Sequence, residues 1–185
     1  MSVGLYGSCC FPVTRKGDAS FMKIEAATTA NGTIEYIRLP AQTEYQRTIF
    51  HIDQRLFDDA DTRCSILAGI DKSKFTGSDL FIGVARGVRG SINGASAGCA
   101  ILLACRGLVV RENVLVTGIV QSFGQSDKVG DFIVHPVDNV KLKSTLVLRG
   151  FTVVIPFDNL CDAIHDCVYV RTFSDLLDLD IFEHG

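Results

Sequence analysis

The order of apolar and polar positions along the chain changes repeatedly between the two-residue period of strands and the longer spacing of helices. Short apolar or alternating runs, bounded by glycine, proline and polar turns, predict strands. These runs lie at residues 3–12, 21–26, 33–39, 80–85, 114–117, 132–134 and 151–155. Strands and helices mix irregularly, without a repeat or linker. The sequence therefore predicts one α+β domain over residues 1–185, with mixed sheets and packed helices.

Four stretches predict helices. Residues 43–58 place isoleucine, leucine and phenylalanine at helical intervals, and the string C-A-I-L-L-A-C at 99–105 is apolar throughout, as in a buried helix. A third helix is predicted from an N-cap at Asp138 to Gly150, which is a good C-cap residue. A fourth, short helix is predicted over residues 174–179, with Ser174 as its cap.

The composition is that of a globular protein and argues against several classes of function. Of the 185 residues, 47% are hydrophobic and 21% are charged, which is unlike a disordered chain. The net charge is −3 without a basic cluster, so neither nucleic acid nor an anionic membrane is an expected partner. No apolar run approaches the roughly 20 residues of a membrane-spanning helix, and the N-terminus lacks the features of a signal peptide. We therefore expect a cytoplasmic protein.

The seven cysteines predict neither a disulfide framework nor a metal site. Their number is odd, and Cys99 and Cys105 lie in the apolar helix, so reduced and mostly buried thiols are expected. Cys161 and His165 are four residues apart with Cys167 nearby, but no C-x-x-C pair completes the four ligands of a closed zinc site. We expect no metal and no cofactor.

The string G-A-S-A-G at 94–98 is the strongest chemical signal in the chain. It places Ser96 among small residues at the start of the apolar helix, where backbone N–H groups can stabilise an oxyanion. A serine in such a turn is also a common helix cap. The small neighbours Ala95 and Ala97 predict a narrow substrate pocket that favours small side chains.

Two lysines farther along the chain are candidates for a general base. Lys141 and Lys143 lie in the predicted third helix. No matching histidine accompanies the serine, so the combination of a serine with a lysine predicts a Ser-Lys hydrolase. A lysine can accept the serine proton only when it is neutral, so burial must lower its pKa from about 10.4. The two positions are about 200° apart on a helix, so only one faces Ser96. Periodicity does not choose between them, and both also suit a solvated helix face.

Several motifs in order resemble the proteolytic domain of the Lon family of Ser-Lys proteases. The family's D-G-P-S-A-G string corresponds to N-G-A-S-A-G at 93–98, and its V-x-P-I-G-G-L-K-x-K segment to residues 134–143 without a gap. Residues 110–118 resemble its V-R-x-D-V-A-M-T-G strand, residues 150–156 its G-I-K-T-V-L-I-P strand, and residues 17–26 its first hairpin. The C-terminal V-Y-V and L-L strings also resemble the family, so the likeness covers nearly the whole chain.

The resemblance implies a fold and a set of site residues. Ser96 would be the nucleophile, Lys143 rather than Lys141 the base, and Thr117 a hydrogen-bonding partner that holds the lysine amine. The substrate and oxyanion residues would be Asn93, Gly94 and Ala95. The chain departs from the family at Asn93, where an acidic residue is usual, and at Ile119, where a glutamate is usual.

The resemblance also implies a class of substrate. The phosphate-loop string G-x-x-x-x-G-K-[ST] is absent, so an ATP-independent endopeptidase is expected. Stand-alone domains of this kind resemble the polyprotein proteases of birnaviruses, so the expected partner is a peptide or polyprotein, and a homo-oligomer is compatible with this. We expect the substrate to bind as an extended strand beside residues 86–93.

Two other functions remain open. An α/β-hydrolase esterase would use the same G-x-S-x-G string, with Asp138 and His165 as partners, but a strand does not run directly into the string and a βαβ pattern is absent. A non-catalytic Lon-like structural or binding domain is the second alternative, and Asn93 and Ile119 are its best support.

Overall fold

The described part of the chain forms a large mixed sheet that has helices on both faces. The computed structural model describes residues 4–29, 36–39, 49–56, 70, 77–84, 95–120 and 132–183. The strands in these ranges are β1 Tyr6–Arg15, β2 Asp18–Ala27, β3 Tyr36–Leu39, β4 Ile49–Asp53, β5 Asp79–Val84, β6 Val114–Val116, β7 Ile119–Val120, β8 Val134–His135, β9 Thr152–Pro156 and β10 Val168–Val170. The α-helices are α1 Gly98–Cys105, α2 Val140–Ser144 and α3 Phe173–Leu177, and 3-10 turns cover Gln54–Leu56, Thr145–Arg149 and Phe157–Asp162.

Eight of these strands pair in the order β10-β9-β6-β1-β2-β5-β4-β3, and β7 pairs with β8 in a small separate sheet. The β1–β2 hairpin is antiparallel over its full length, whereas β6 runs parallel to both β1 and β9. The combination of parallel and antiparallel pairs with separate helices confirms the predicted α+β class and its mixed sheet.

Strand β1 separates the two hydrophobic clusters of the molecule, because successive side chains point to opposite faces. Cys9 and Phe11 belong to the larger cluster, which also contains every apolar residue of α1. Cys10 belongs to the smaller cluster, together with Val140 of α2 and Leu146 of the 3-10 turn that follows it. Helix α1 and helix α2 are therefore on opposite faces of the same sheet.

Glycine at position 7 sets the distance between β1 and α1. A Cβ atom at Gly7 would collide with the backbone carbonyl of Ala104. The helix therefore packs its backbone directly onto the strand, and a side chain at position 7 would push it away.

The two central parallel strands end at different levels. Strand β6 stops at Val116, one residue after Leu115, which lies opposite Cys10. Strand β1 continues to Arg15, so its last residues extend beyond the end of β6. At this level the sheet no longer separates the two faces, and groups from α1 and α2 can line one space.

The predicted helix at residues 43–58 is wrong over its described part. Residues Ile49–Asp53 form β4, and only Gln54–Leu56 turn as a 3-10 helix. Phe50 and Ile52 are buried alternately, as in a strand, and β4 is paired on both edges, with β3 and β5. Apolar residues at helical spacing here also satisfy a two-residue period, and sheet pairing decides between them. Residues 43–48, 57 and 58 lie outside the described residues.

Two predicted helix caps are also corrected. Helix α2 begins after Asn139 rather than Asp138, and Asn139 has a left-handed backbone with φ of 61°. Thr172, rather than Ser174, caps the last helix, because its hydroxyl accepts from the backbone of Asp175 and the Asp175 side chain accepts in return. Gly150 does end the third predicted helix, with φ of 91°.

The six described cysteines are not joined in disulfides. Cys9, Cys10, Cys99 and Cys105 are buried, Cys167 is half-buried and Cys161 is exposed. None of the helices within the described ranges has the length and apolar character needed to cross a membrane.

Candidate active site

The serine of the small-residue string lies in a turn immediately before α1. Residues 95–97 form this turn, and Ala97 is the N-cap residue of the helix, without a side-chain cap bond. Ser96 is therefore not the helix cap. Ser96 is only 7% exposed. The residue is therefore close to the core, although it borders the cavity described below.

Backbone and side-chain hydrogen bonds clamp the serine turn to the end of β6. The carbonyl of Ser96 accepts from the Gly118 N–H at 3.1 Å and from the Thr117 hydroxyl at 3.2 Å. In the opposite direction, the Cys99 N–H donates to the carbonyl of Gly118 at 3.2 Å. Gly118 has no space for a side chain, since a Cβ atom would lie 2.6 Å from Val134 Cγ1. The position of Ser96 is thus determined by the point at which β6 ends.

The two candidate lysines differ in burial. Lys143 is only 5% exposed, whereas Lys141 lies on the exposed side of α2. Farther along this segment, Leu148 is 71% exposed and Leu146 is buried. The reason is that α2 tightens into a 3-10 turn after Ser144, which changes the angle between successive side chains.

Ser96 and Lys143 line the same cavity, which has a volume of about 280 Å³. Residues 11–15 of β1 form one wall, and the turn that precedes α2 contributes another. The full lining is Phe11, Pro12, Val13, Thr14, Arg15, Met22, Ser96, Asp138, Asn139 and Lys143. The cavity lies where β1 extends past the end of β6, so that a serine from one face of the sheet meets a lysine from the other.

Burial changes the acidity of the lysine in this cavity. Loss of solvation lowers the pKa of Lys143 to about 8, because the charged form is disfavoured away from water. The negative charge of Asp138 acts in the opposite direction and raises it. A lysine with a pKa of about 8 is neutral in a useful fraction of molecules at mildly alkaline pH, which a general base requires.

Thr117 is completely buried and holds the serine turn through its hydroxyl, which donates to the Ser96 carbonyl. Its predicted contact with the lysine amine stays a prediction. Ile119, one of the two positions at which the sequence departs from the motifs it resembles, packs on the smaller hydrophobic cluster with Val137 and Val140. An apolar residue at this position therefore supports the lysine helix by packing.

The predicted oxyanion residues are only partly described. The structure does not describe Asn93 or Gly94. The segment 86–93, which was predicted to lie beside the substrate, is also outside the described residues. Ala95 is half-buried, and its carbonyl accepts from the N–H of Gly98. Ala97 is completely buried in the larger cluster, and the narrow pocket for small side chains stays a prediction.

Three features of the cavity were not predicted from the sequence. The first is the wall at residues 11–15, since the first strand was expected to end at residue 12. The others are Asp138 and Asn139, which were assigned to the helix start and lie on the cavity wall instead.

The described lining of the cavity contains neither a histidine nor a set of side chains placed to hold a metal ion. The described lining residues include no histidine, so the Asp138–His165 pair of the esterase alternative is not assembled in this cavity. Within the described ranges, no three His, Cys, Asp or Glu side chains are placed to hold a metal ion. The chemistry available at the wall is therefore a serine hydroxyl, a buried amine, a carboxylate and a guanidinium.

No family model and no curated protein sequence matches the chain. Among solved structures, the chain is similar to one described as a novel viral protease with a serine/lysine catalytic dyad mechanism. The likeness covers 95% of this chain and 85% of that chain, at 17% sequence identity and a TM-score of 0.46.

Proposed function

We propose that the protein is a serine endopeptidase in which Lys143 is the general base for Ser96. The observation that carries the proposal is the presence of a buried serine and a buried lysine, with its pKa lowered to about 8, on the wall of one cavity. Burying a lysine costs stability. The other charged residue of α2 is Lys141, which is exposed and has the same charge, so α2 itself offers Lys143 no opposite charge. A catalytic role accounts for that cost.

The reaction would proceed by acyl transfer. Ser96 Oγ attacks the carbonyl carbon of the peptide bond while Lys143 Nζ takes its proton, and the carbonyl oxygen becomes an oxyanion. The intermediate collapses as the ammonium returns the proton to the leaving amine, which departs and leaves an ester on Ser96. Lys143 then removes a proton from water, whose oxygen attacks the ester carbonyl. As the bond to Ser96 Oγ breaks, the Lys143 ammonium returns the proton to that oxygen, and the carboxylic acid product leaves.

The shape of the cavity favours a peptide over a small ester. Five consecutive residues, 11–15, border it, and side chains of one strand alternate between faces. Such a continuous run lines a cavity only along the edge of the strand. A peptide added at this edge of β1 would be held by main-chain hydrogen bonds next to Ser96. Pairing of the peptide with residues 86–93, which lie outside the described residues, stays a prediction.

The chemistry of a serine and a lysine needs neither nucleotide nor metal, and we expect cleavage of an unfolded peptide to continue in EDTA without ATP. Processing of a viral polyprotein, a Lon-type fold, a cytoplasmic location and a homo-oligomer remain predictions from the resemblance. Identifying the natural substrate would test the prediction of polyprotein processing. The geometry of the site tests none of the four.

The decisive test is covalent labelling with a fluorophosphonate probe, followed by mass spectrometry of the labelled peptide. We expect the wild-type protein to be labelled at Ser96 and to cleave a fluorogenic peptide mixture, and the Ser96→Ala variant to do neither. Ser8→Ala removes another buried serine hydroxyl that lies outside the cavity, and it should behave as the wild type. A non-catalytic domain would show no labelling, and turnover by folded Ser96→Ala would overturn the proposal.

A further inference from the structure

The turn that leads into the lysine helix is held in place on both sides of Asp138. On one side, the buried side chain of Asn159 accepts from the N–H of Val137 at 2.9 Å and donates to its carbonyl at 3.0 Å. On the other side, the Asn139 amide donates to the Thr14 hydroxyl at 3.2 Å. These contacts determine where the backbone of Asp138 lies.

Asn139 also determines the direction in which the chain enters α2. Its backbone is left-handed, with φ of 61°, and its carbonyl accepts the N–H of Lys143 at 2.9 Å. Asp138 therefore stands outside the helix, at the cavity wall, while Lys143 lies one turn inside it. A carboxylate and an amine of one short segment thus border the same cavity.

Asp138 and Arg15 are the charged residues that share the described cavity wall with Lys143. Asp138 is exposed, and its side chain is the acidic group on this wall. Charged side chains on other elements packed against α2 are off this wall: Asp18, Lys23, Glu25, Arg149, Asp158 and Asp162. Several are engaged elsewhere, since Lys23 pairs with Glu112, Arg149 donates to the carbonyl of Ala19, and Asp162 accepts from Asn159.

We propose that Asp138 is a positioning residue for the base: its carboxylate favours the ammonium form of Lys143 and so restrains the proposed dyad at neutral pH. The inference rests on the proposed function, because a change in lysine protonation alters turnover only if the lysine is the base. An opposite charge near a titrating group stabilises the charged form, so the carboxylate opposes the effect of burial on the pKa of Lys143. The V-x-P-I-G-G-L-K-x-K motif that this segment resembles has two glycines where this chain has Asp138-Asn139.

The first test is the pH profile of kcat/KM for Asp138→Asn. Without the carboxylate, Lys143 should become neutral at lower pH, so the acid-side inflection moves down. Activity at pH 7 should rise roughly two- to fivefold, the range expected for an exposed charge, while the alkaline plateau is unchanged. Asp138→Glu keeps the charge and should keep the wild-type inflection. Asp166→Asn makes the same change in net charge outside the cavity wall and should also leave it unmoved.

A second measurement needs no turnover at all. In the Ser96→Ala background, the Lys143 side chain can be titrated by NMR of carbon-13-labelled lysine, with and without Asp138→Asn. A lower titration midpoint in the double variant supports the inference whether or not the protein is a protease, and an unchanged midpoint overturns it. Failure of the proposed function would appear separately, as turnover by Ser96→Ala.

Salt provides a third arm that needs no substitution at position 138. Raising the NaCl concentration screens an exposed carboxylate, so the midpoint of Lys143 in the wild-type sequence should fall. The fall should be smaller in Asp138→Asn, where that charge is missing. Equal shifts in the two proteins would overturn the inference even if the substitution had disturbed the turn.

Discussion

Helices α1 and α2 both bring a residue to the cavity, but they bury very different side chains. All eight residues of α1 are buried, and none is charged. Helix α2 has five residues, of which one lysine is exposed and the other is buried. The helix that presents the serine is thus stabilised by ordinary packing, whereas the helix that presents the lysine contains a group that opposes folding while charged. The proposed nucleophile therefore costs the fold little, whereas the proposed base is buried at the expense of stability.

The largest expected effect is on turnover, and it follows from a change at the buried lysine of α2. Lys143→Met keeps the length and apolar packing of the side chain but removes the amine that accepts the serine proton. We expect kcat/KM to fall by roughly 10³-fold, within the range measured for general bases. The check is peptide cleavage by a variant shown to be folded by circular dichroism. Near-wild-type turnover would remove Lys143 from the mechanism.

The next effect sharpens the comparison from the side of α1. Ile101→Ala leaves a cavity in the larger hydrophobic cluster, where the residue is completely buried. The free energy of unfolding should fall by about 2–5 kcal/mol, as measured by urea denaturation. Leu142→Ala on α2 is the matched change, and because Leu142 is half-buried we expect a smaller loss. Equal losses would contradict the distinction between the helices.

Removing the lysine should also stabilise the protein, by an amount that depends on pH. The pKa of Lys143 is lowered from 10.5 to about 8, so between these values the unfolded chain holds a proton that the folded chain has released. Stability therefore rises as the pH increases from about 8 to about 10.5. The full difference corresponds to on the order of 3 kcal/mol, so Lys143→Met should gain about 1–3 kcal/mol below pH 8.

Thermal unfolding of both proteins at several pH values measures this gain. The wild-type protein should approach the variant as the pH rises, and the increase between pH 8 and 10.5 should be missing from Lys143→Met. A variant less stable than the wild type at pH 7 would mean that Lys143 is not destabilising when charged.

A smaller effect concerns the contact between the serine turn and β6. Thr117→Val removes the hydroxyl that donates to the Ser96 carbonyl, and the Gly118 N–H still donates to the same atom. We expect a loss of about 1 kcal/mol in unfolding free energy and a lower kcat with an unchanged pH inflection. Thr117→Ser should restore both. If the inflection moves, the hydroxyl acts on the lysine instead, as the resemblance implies.

The smallest effect is expected at the other lysine of α2. Lys141 is exposed, so Lys141→Met should change the unfolding free energy by less than about 0.5 kcal/mol and leave turnover unchanged. The measurement is the same pair of assays used for Lys143→Met. A large loss of turnover here would transfer the role of base to Lys141.

The predictability of the fold follows the length and regularity of each segment. The apolar string at 99–105 could be read as a buried helix, because every position is apolar and the cluster surrounds it. Residues 49–53 could not be read as a strand, since their apolar spacing suits a helix as well and only pairing with β3 and β5 decides. Local pattern is sufficient where burial is uniform, and it fails where long-range pairing determines the outcome.

The site was predictable in its chemistry but not in its surroundings. Ser96 could be found from its small neighbours, and Lys143 from the resemblance, but the periodicity of α2 left Lys141 equally suitable because the later 3-10 turn is not visible in sequence. The wall at residues 11–15 comes from the opposite end of the chain and depends on where β6 ends beside β1. Contacts between segments so far apart have no local signature.

The parallel pairing of β1 with β6 has a consequence for newly made chains. It joins residues roughly 100 positions apart, and long-range parallel pairs form slowly. During synthesis, β1 leaves the ribosome first, and at 5–20 residues per second the lysine helix follows after roughly ten seconds. A nascent chain that ends before α2 does not contain β1, Ser96 and Lys143 together. The chain therefore carries a built-in delay, and the proposed cutting activity begins only when translation has passed α2 and the sheet has closed.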